Sequence, residues 1–254
     1  MLGTGHAMTT KCFNTCFVYE NESGKILIDT GGGQQLVGQL RAAGVDAHEI
    51  NDVFISHRHT DHILGLPWLV RMRMKNSPRT PLTVYAHEEL CHEAKQLICI
   101  LFPEHELGDH VLFRAVRNED THTICNRKFQ FYDTKSIRCK QFGFVMTLDH
   151  GGTFVFNGDV PFHKSNRSMM QNAAYLMHEA FALTAQMKHN PGGHSSVSQA
   201  GQYAAELGAD NLIIVHCGDQ DLSNRRELYT QEASAHFKGT IYAPDDLDII
   251  ELNT

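Results

Sequence analysis

The sequence predicts an α/β fold in which strands and helices alternate through one domain that spans residues 1–254. Short apolar segments typical of buried strands are followed repeatedly by segments in which apolar residues recur at helical spacing. No linker rich in proline, glycine or serine and no run of charges separates the two halves of the chain. With 254 residues, of which 42% are hydrophobic, the chain can bury a core without disulfides or a structural metal.

The first half of the chain begins with strands that are followed by helices. A polar turn joins the first two strands into a hairpin, and the glycines from Gly31 to Gly33 end the second strand. Apolar residues at helical spacing then predict a helix that ends at Gly44. The predicted elements are, in order, strands at 13–19 and 25–29, a helix over 36–43, a strand at 52–56, a helix over 63–74 in spite of Pro67, a strand at 82–86 and a helix over 88–101.

The second half is first rich in strands and then alternates again. Ser195 is the predicted N-cap of one of its helices. The predicted elements are strands at 128–132, 141–148 and 153–156, a helix near 165–171, a strand at 174–177, helices over 180–188 and 195–207, a strand at 211–215, a helix over 222–236 and strands at 239–242 and 247–251. Because both halves have a similar order of elements, we expect sheets in the middle and helices outside.

The composition excludes several classes of protein. The chain has 22 Lys and Arg against 29 Asp and Glu, and the net charge of −7 disfavours non-specific binding to nucleic acid. No apolar run approaches the roughly 20 residues that a membrane span needs. The N-terminus lacks the basic and apolar regions of a signal peptide. We therefore expect a cytoplasmic protein whose seven cysteines are reduced thiols.

Three of the 17 histidines lie in one short segment that follows a predicted strand. His57, His59, Asp61 and His62 together offer imidazole nitrogen and carboxylate oxygen, which are ligands that zinc-class metals prefer. In an extended segment His57 and His59 project to the same side, while Asp61 and His62 can face a second ion. The alternative is a polar loop in which Asp61 lies at the start of a helix. The density of ligand-type residues favours the metal site.

Two further ligand-type residues follow predicted strands directly. Asp159 comes after the strand at 153–156, and His216 comes after the strand at 211–215. Ligands in open α/β sheets bind at the carboxyl ends of strands, so both residues are candidates for the same site. Taken alone, Asp159 is equally explained by an Asn-Gly-Asp turn, and His216 by a buried histidine with one hydrogen bond.

The chain resembles the metallo-β-lactamase-fold hydrolases from Gly3 to near its C-terminus. The resemblance rests on the segment from Leu27 to Gly32, on the His-x-His-x-Asp-His motif, on Gly158-Asp159 and on the strand before His216. It implies a four-layer αββα sandwich and one or two zinc ions, with manganese or iron as alternatives. It implies the following metal ligands: His57, His59, Asp61, His62, Asp159 and His216.

One position departs from this family. A further histidine for the first metal is expected shortly before the segment from Lys140 to Phe144, and Lys135 stands there instead. A protonated lysine is not a ligand and repels a cation. The first site is therefore expected to be weak, empty, or completed by Asp159, by water or by a nearby histidine such as His150.

Within the superfamily the chain is most similar to the ribonuclease Z branch. Met177-His178-Glu179-Ala180 resembles that branch's His-Glu-Ala-Thr segment, and Gly193-His194-Ser195-Ser196 resembles its His-Ser-Thr segment. The resemblance implies that Glu179 orients His194, which protonates the leaving oxygen. The alternatives are a carboxylate that stabilises a helix N-terminus and a loop histidine. The long arm with which that branch grips tRNA has no counterpart between residues 136 and 158.

These expectations lead to a metal-dependent hydrolase of ester-type bonds. A phosphoester or phosphodiester of a small molecule is the favoured substrate, attacked by hydroxide that the metal activates and that Asp61 orients. The alternatives are a hydrolase of lactones, thioesters or β-lactams, and a binding protein with a partly decayed metal site. Nucleic acid and membranes are not expected as partners, and a homodimer is left open.

Overall fold

Twelve strands among the described residues form two sheets. The computed structural model describes residues 1–75, 80–103, 107–149, 151–189 and 193–252. The first sheet has the order β1 (Phe17–Asn21), β2 (Gly24–Ile28), β3 (Ile50–Phe54), β4 (Leu82–His87) and β5 (Val111–Val116). The second has the order β12 (Thr240–Tyr242), β11 (Asn211–Val215), β10 (Tyr175–Glu179), β9 (Thr153–Phe156), β8 (Phe142–Thr147), β7 (Arg127–Asp133) and β6 (Thr121–Ile124).

Each sheet contains an antiparallel part and a parallel part. The strands β1 and β2 form the predicted hairpin, and the strands from β2 to β5 are parallel. In the second sheet the strands from β6 to β9 are antiparallel, whereas those from β9 to β12 are parallel. Parallel strands share the edge at which their carboxyl ends lie, and the predicted site residues follow such ends.

Helices connect the strands and lie outside the sheets. Short 3-10 helices occur in the connections, at Ala47–Glu49, Lys164–Asn166 and Thr184–His189. Within the described ranges the α-helices are α1 (Gln35–Ala42), α2 (Thr60–Ile63), α3 (Leu66–Met74), α4 (Glu88–Leu101), α5 (Arg167–Met170), α6 (Val197–Leu207) and α7 (Arg225–Ser234). None of these helices combines the length and the hydrophobicity that crossing a bilayer requires.

The alternation of side chains along the strands produces three cores and therefore four layers. In β2, Ile26 and Ile28 face the second sheet, whereas Leu27 faces the helices of the first half. In β10, Met177 joins the core between the sheets, and Leu176 packs with the helices of the second half. Two sheets with helices on their outer faces are the αββα sandwich that the sequence predicts, and this prediction is confirmed.

The N-terminal segment joins the two halves of the sandwich. Gly3 pairs with Cys16, and Gly5 pairs with Cys217, which is the second residue after β11 of the second sheet. The backbone N–H of His6 donates to the carbonyl of Cys217 at 3.0 Å. Residues before β1 therefore lie against the carboxyl end of a strand in the other sheet.

Several predicted elements differ from the observed ones. The strands β5 and β6 were not predicted, the helix over 63–74 is broken at Gly65 into α2 and α3, and residues 247–251 form no strand. The helix over 180–188 is wrong, because Ala180 and Phe181 donate to the carbonyls of Val215 and Ser195 and only a 3-10 helix follows. The N-cap of α6 is Ser196 in a capping box with Gln199, not Ser195.

Candidate active site

The centre of the site is a buried cluster of two carboxylates and two imidazoles. Asp159 Oδ2 lies 2.7 Å from His62 Nε2 and 2.8 Å from His216 Nε2. Asp61 Oδ2 lies 3.2 Å from His62 Nε2 and 3.4 Å from His216 Nε2. Ligand-type atoms of these four residues all lie within 4.8 Å of one another, so they can surround one ion. The structure thus brings together side chains from α2 and from the ends of β9 and β11.

His57 and His59 lie beside this cluster. His57 Nε2 is 2.9 Å from His59 Nδ1 and 3.9 Å from Asp159 Oδ2. Asp159 therefore lies between the pair formed by His57 and His59 and the pair formed by His62 and His216. A carboxylate between two groups of histidines could contact two ions, which is the role that the family resemblance implies for Asp159.

The carboxylates and imidazoles of the cluster stabilise each other's charges, although burial by itself disfavours charged side chains. Burial alone would raise the pKa of Asp159, but His216 and His62 lower it well below its usual range. Burial would lower the pKa of His216, but the charge of Asp159 and the hydrogen bonds that Asp159 and Asp61 accept from the ring raise it to about 9. Burial lowers the pKa of His57 well below its usual range, so this ring is neutral. The ionised carboxylates draw positive charge onto His62 and His216, and a divalent cation would take the place of that charge once both rings have lost their protons.

One carboxylate oxygen of the cluster is free to coordinate an ion. Asp159 Oδ1 is buried and has no hydrogen-bond partner in the described part of the chain. A buried polar atom without a partner is costly, and metal coordination satisfies it. The residues present therefore fit a zinc-class ion.

Asp29, at the end of β2, orients two of the histidines. Its carboxylate accepts hydrogen bonds from the backbone N–H and the hydroxyl of Ser56, at 2.7 and 2.8 Å, and lies 2.8 Å from His62 Nδ1. The same hydroxyl lies 3.0 Å from His57 Nδ1. These contacts occupy the Nδ1 atoms, so the Nε2 atoms of His57 and His62 face the centre.

His216 is held in an unusual backbone conformation. Its φ is +58°, in the left-handed region, and its N–H donates to Thr15 Oγ1 at 3.0 Å. Thr15 belongs to the segment that joins the two halves, and its hydroxyl in turn donates to the carbonyl of Gly5 at 3.1 Å. The site therefore depends on residues near the N-terminus that sequence reasoning did not select.

Glu179 and His194, the two residues selected as an acid–base pair, lie next to the cluster. Glu179 Oε2 is 3.5 Å from His194 Nδ1, while Glu179 Oε1 accepts the N–H of Ser195 at 2.6 Å. Arg138 Nη1 lies 3.0 Å from His194 Nε2. A guanidinium only donates, so His194 Nε2 accepts and the ring proton lies on Nδ1, toward Glu179. The Arg138 contact was not predicted, because the chain separates the two residues by more than 50 positions.

A row of stacked rings forms one wall of the site. His6 stacks on Phe181 with ring centroids 4.3 Å apart, Phe181 stacks on His194 at 5.3 Å, and His194 stacks on His216 at 5.2 Å. Burial, together with the nearby His216, lowers the pKa of His6 to about 4, so His6 is neutral. His6 and Phe181 carry no recognisable spacing signal, and only the folded chain brings them here.

The loop between β7 and β8 lies near His59. It places beside that histidine a residue that sequence reasoning did not select. Lys135 is exposed, and its Nζ pairs with Asp133 Oδ2 at 3.1 Å. Cys139 of the same loop places its Sγ 3.6 Å from His59 Nε2. His150, the predicted alternative ligand, lies outside the described residues.

Comparisons with known proteins agree with this geometry. The ribonuclease Z of Halorubrum lacusprofundi is 24% identical over 304 aligned residues, which cover 99% of this chain and 96% of that protein. The metallo-β-lactamase-fold protein YhfI of Bacillus subtilis has a TM-score of 0.82 at 20% identity, over 96% of this chain and 95% of YhfI. The short form of human tRNase Z has a TM-score of 0.77 at 20% identity, over 100% of this chain and 98% of that chain.

These likenesses confirm the metallo-β-lactamase fold and the predicted similarity to ribonuclease Z. A model of the family described as anti-Pycsar protein Apyc1 matches residues 1–237. Because that match spans most of its length, this chain belongs to the family of the anti-Pycsar protein Apyc1.

Proposed function

We propose that this chain hydrolyses a phosphodiester of a small molecule with the help of two divalent metal ions, most suitably zinc. The general reaction class, metal-dependent hydrolysis of phosphoesters, is supported by the ribonuclease Z relatives that align over almost the whole chain. The observation that carries the proposal is the position of Asp159 Oδ2 between His57 on one side and His62 and His216 on the other.

The proposed ligands divide into two sets that share Asp159. Asp61, His62 and His216 would hold one ion, and His57 and His59 would contribute to the other. When bound, the metals supply Lewis acidity and lower the pKa of water toward neutrality. Zinc fits the mixture of imidazole and carboxylate donors, whereas manganese and iron are the alternatives.

The remaining side chains of the site would orient the reactants. Asp61, with one carboxylate edge toward His62 and His216, would accept a proton from the attacking water or hold that water in line. His194 would donate a proton from Nε2 to the leaving oxygen after Arg138 has turned from that atom to the substrate, and Glu179 would hold the ring through Nδ1. Arg138, at 3.0 Å from His194, would place a positive charge near a substrate phosphate.

A small substrate is favoured over RNA by two properties of the chain. The net charge of −7 makes a large footprint on a phosphate backbone unfavourable. The alignment with ribonuclease Z spans 304 positions and this chain has 254 residues, so at least 50 aligned positions have no counterpart here. Because relatives are named ribonuclease Z and tRNase Z, RNA is the competing substrate class, and the tests below include it.

The first test replaces Asp61 by alanine and measures hydrolysis of bis(4-nitrophenyl) phosphate by zinc-loaded protein. We expect kcat/KM to fall by roughly 100-fold or more, because the variant loses both a ligand and the group that orients the nucleophile. Asp46→Ala changes an exposed aspartate and serves as the control. Undiminished hydrolysis in metal-replete Asp61→Ala would contradict the proposal. So would hydrolysis of a lactone, a thioester or a tRNA precursor in preference to small phosphodiesters.

The second test concerns His194 as the proton donor. His194→Ala should lower kcat by roughly 100-fold or more for a substrate with an alkoxide leaving group, which needs protonation. The loss should be much smaller for bis(4-nitrophenyl) phosphate, since nitrophenolate leaves without a proton. Metal content per chain, measured by elemental analysis, should stay unchanged. Equal losses with both substrates would assign His194 to positioning rather than to proton transfer.

A further inference from the structure

The proposed site around His57 and His59 needs a ligand from the loop between β7 and β8. In the family pattern a histidine fills this place, but Lys135 stands there in this chain. The structure turns Lys135 away, because its φ is +64°, its side chain is exposed, and its Nζ pairs with Asp133 at 3.1 Å. The lysine therefore neither fills the place nor directs its charge at the two histidines.

Cys139 lies on the same loop and reaches the same place. Its half-buried Sγ is 3.6 Å from His59 Nε2. One donor atom each of His57, His59 and Cys139 lies within 4.8 Å of the other two. A tetrahedral zinc ion with bonds of about 2.0–2.3 Å holds its ligands roughly 3.3–3.8 Å apart, so the three side chains can close on one ion with small shifts.

We propose that Cys139 is a thiolate ligand of the metal that His57 and His59 bind, with Asp159 as the ligand that this ion shares with its neighbour. This inference rests on the proposed function and names the donor that completes its first site. On binding, the Cys139 thiol releases its proton to solvent, and the sulfur then forms a bond to the ion. The resulting set of two imidazoles, one thiolate and one carboxylate is a combination that zinc accepts.

A sulfur donor has a consequence for metal choice. Thiolate is a soft ligand and favours zinc, cobalt or cadmium over the harder manganese ion. The neighbouring site, made of Asp61, His62, Asp159 and His216, has no sulfur donor. The two sites of one chain should therefore differ in their preference among divalent metals.

The test uses the full chain loaded with cobalt(II), whose bond to a thiolate gives a charge-transfer absorption band in the near ultraviolet. We expect this band in the unmodified protein and in Cys99→Ala, a control that changes a half-buried cysteine of α4. We expect Cys139→Ala to lose the band and one of the two metal equivalents. Cys139→His should lack the band but keep both equivalents, because it restores the histidine of the family pattern.

The outcomes separate this inference from the proposed function. A protein that binds two cobalt ions and hydrolyses bis(4-nitrophenyl) phosphate without the band would overturn the role of Cys139 and leave the function standing. A band that is lost in Cys139→Ala from a protein without phosphodiesterase activity would support the ligand and overturn the function. A band that survives in Cys139→Ala would also overturn the inference, since another cysteine would then be the ligand.

Discussion

Asp29 shows how a residue outside the proposed ligand set controls that set. Its carboxylate holds His62 directly and His57 through Ser56, and burial raises its pKa against the opposing effect of His62. We expect Asp29→Asn to weaken zinc binding by roughly 10- to 100-fold, because partners of this kind orient ligands and raise their basicity. Asparagine tolerates the left-handed φ of +54° at this position, so the backbone adds little strain.

Competition with a chelator of known affinity measures this effect. Asp46→Asn makes the same chemical change at an exposed position and should leave the affinity unchanged. Equal zinc affinity in Asp29→Asn and the unmodified protein would show that His62 needs no support from this carboxylate.

Residues close together in the chain or directly after strands could be predicted, and others could not. The four residues from His57 to His62 form a dense motif, while Asp159 and His216 follow apolar strands, and the structure brings all six together. Cys139, Arg138 and His6 carry no such signal. Their positions depend on a loop conformation and on ring packing, which no spacing in the sequence encodes.

At the scale of elements, α4 depends on a histidine at its N-terminus. His87 is the N-cap, and its Nδ1 accepts the N–H of Leu90 at 3.3 Å. Burial lowers the pKa of His87, and the nearby Lys140 lowers it further. Protonation would remove the acceptor that the cap uses. The helix is therefore sensitive to acid at one residue.

This sensitivity predicts the pH dependence of stability. Above about pH 6.5, His87 is neutral in both states and contributes no dependence. As the pH falls below this value, the unfolded state binds a proton that the folded state excludes, so stability falls by up to about 1.4 kcal/mol per pH unit until the lower folded pKa is reached. We expect His87→Asn, which keeps a capping oxygen, to flatten this fall between pH 7.5 and 5.5.

Urea unfolding at the two pH values checks the prediction. His92→Asn changes an exposed histidine of the same helix and serves as the control. A loss of stability at acid pH that is as steep in His87→Asn as in the unmodified protein would contradict it.

The strands and helices that were predicted correctly have strong local patterns, and the failures are tertiary in origin. The helix α4 and the strands β9 and β11 have the predicted bounds. Residues 180–183 have apolar side chains at helical spacing, but their backbone pairs with the ends of β11 and with Ser195 instead. The strand β5 alternates only weakly between buried and exposed positions, because it lies at an edge of the first sheet.

At the scale of the whole molecule, Asp246 ties the C-terminal part of the chain to the segment that joins the two halves. Its Oδ1 accepts the N–H and the hydroxyl of Thr4 at 3.0 and 2.9 Å, and its Oδ2 accepts the N–H of Phe13 at 2.6 Å. Thr4 also accepts the N–H of Cys217 through its carbonyl at 2.8 Å, next to His216. Asp246 therefore supports, from a distance, the segment that lies beside the proposed ligand His216.

We expect Asp246→Ala to lower the free energy of unfolding by about 2–3 kcal/mol, because it leaves several partly buried donors without a charged acceptor. Asp109→Ala, at an exposed position, should change the free energy of unfolding little.

Since the lost contacts hold the segment beside His216, Asp246→Ala should also bind zinc more weakly. The variant should therefore gain less thermal stability from the same concentration of zinc than Asp109→Ala gains, because stabilisation by a ligand of the native state falls as its affinity falls. Thermal unfolding of both variants, with chelator and with zinc, would show a larger difference with zinc than with chelator if this coupling holds. An Asp246→Ala protein as stable as Asp109→Ala in chelator would refute the support that Asp246 gives the site.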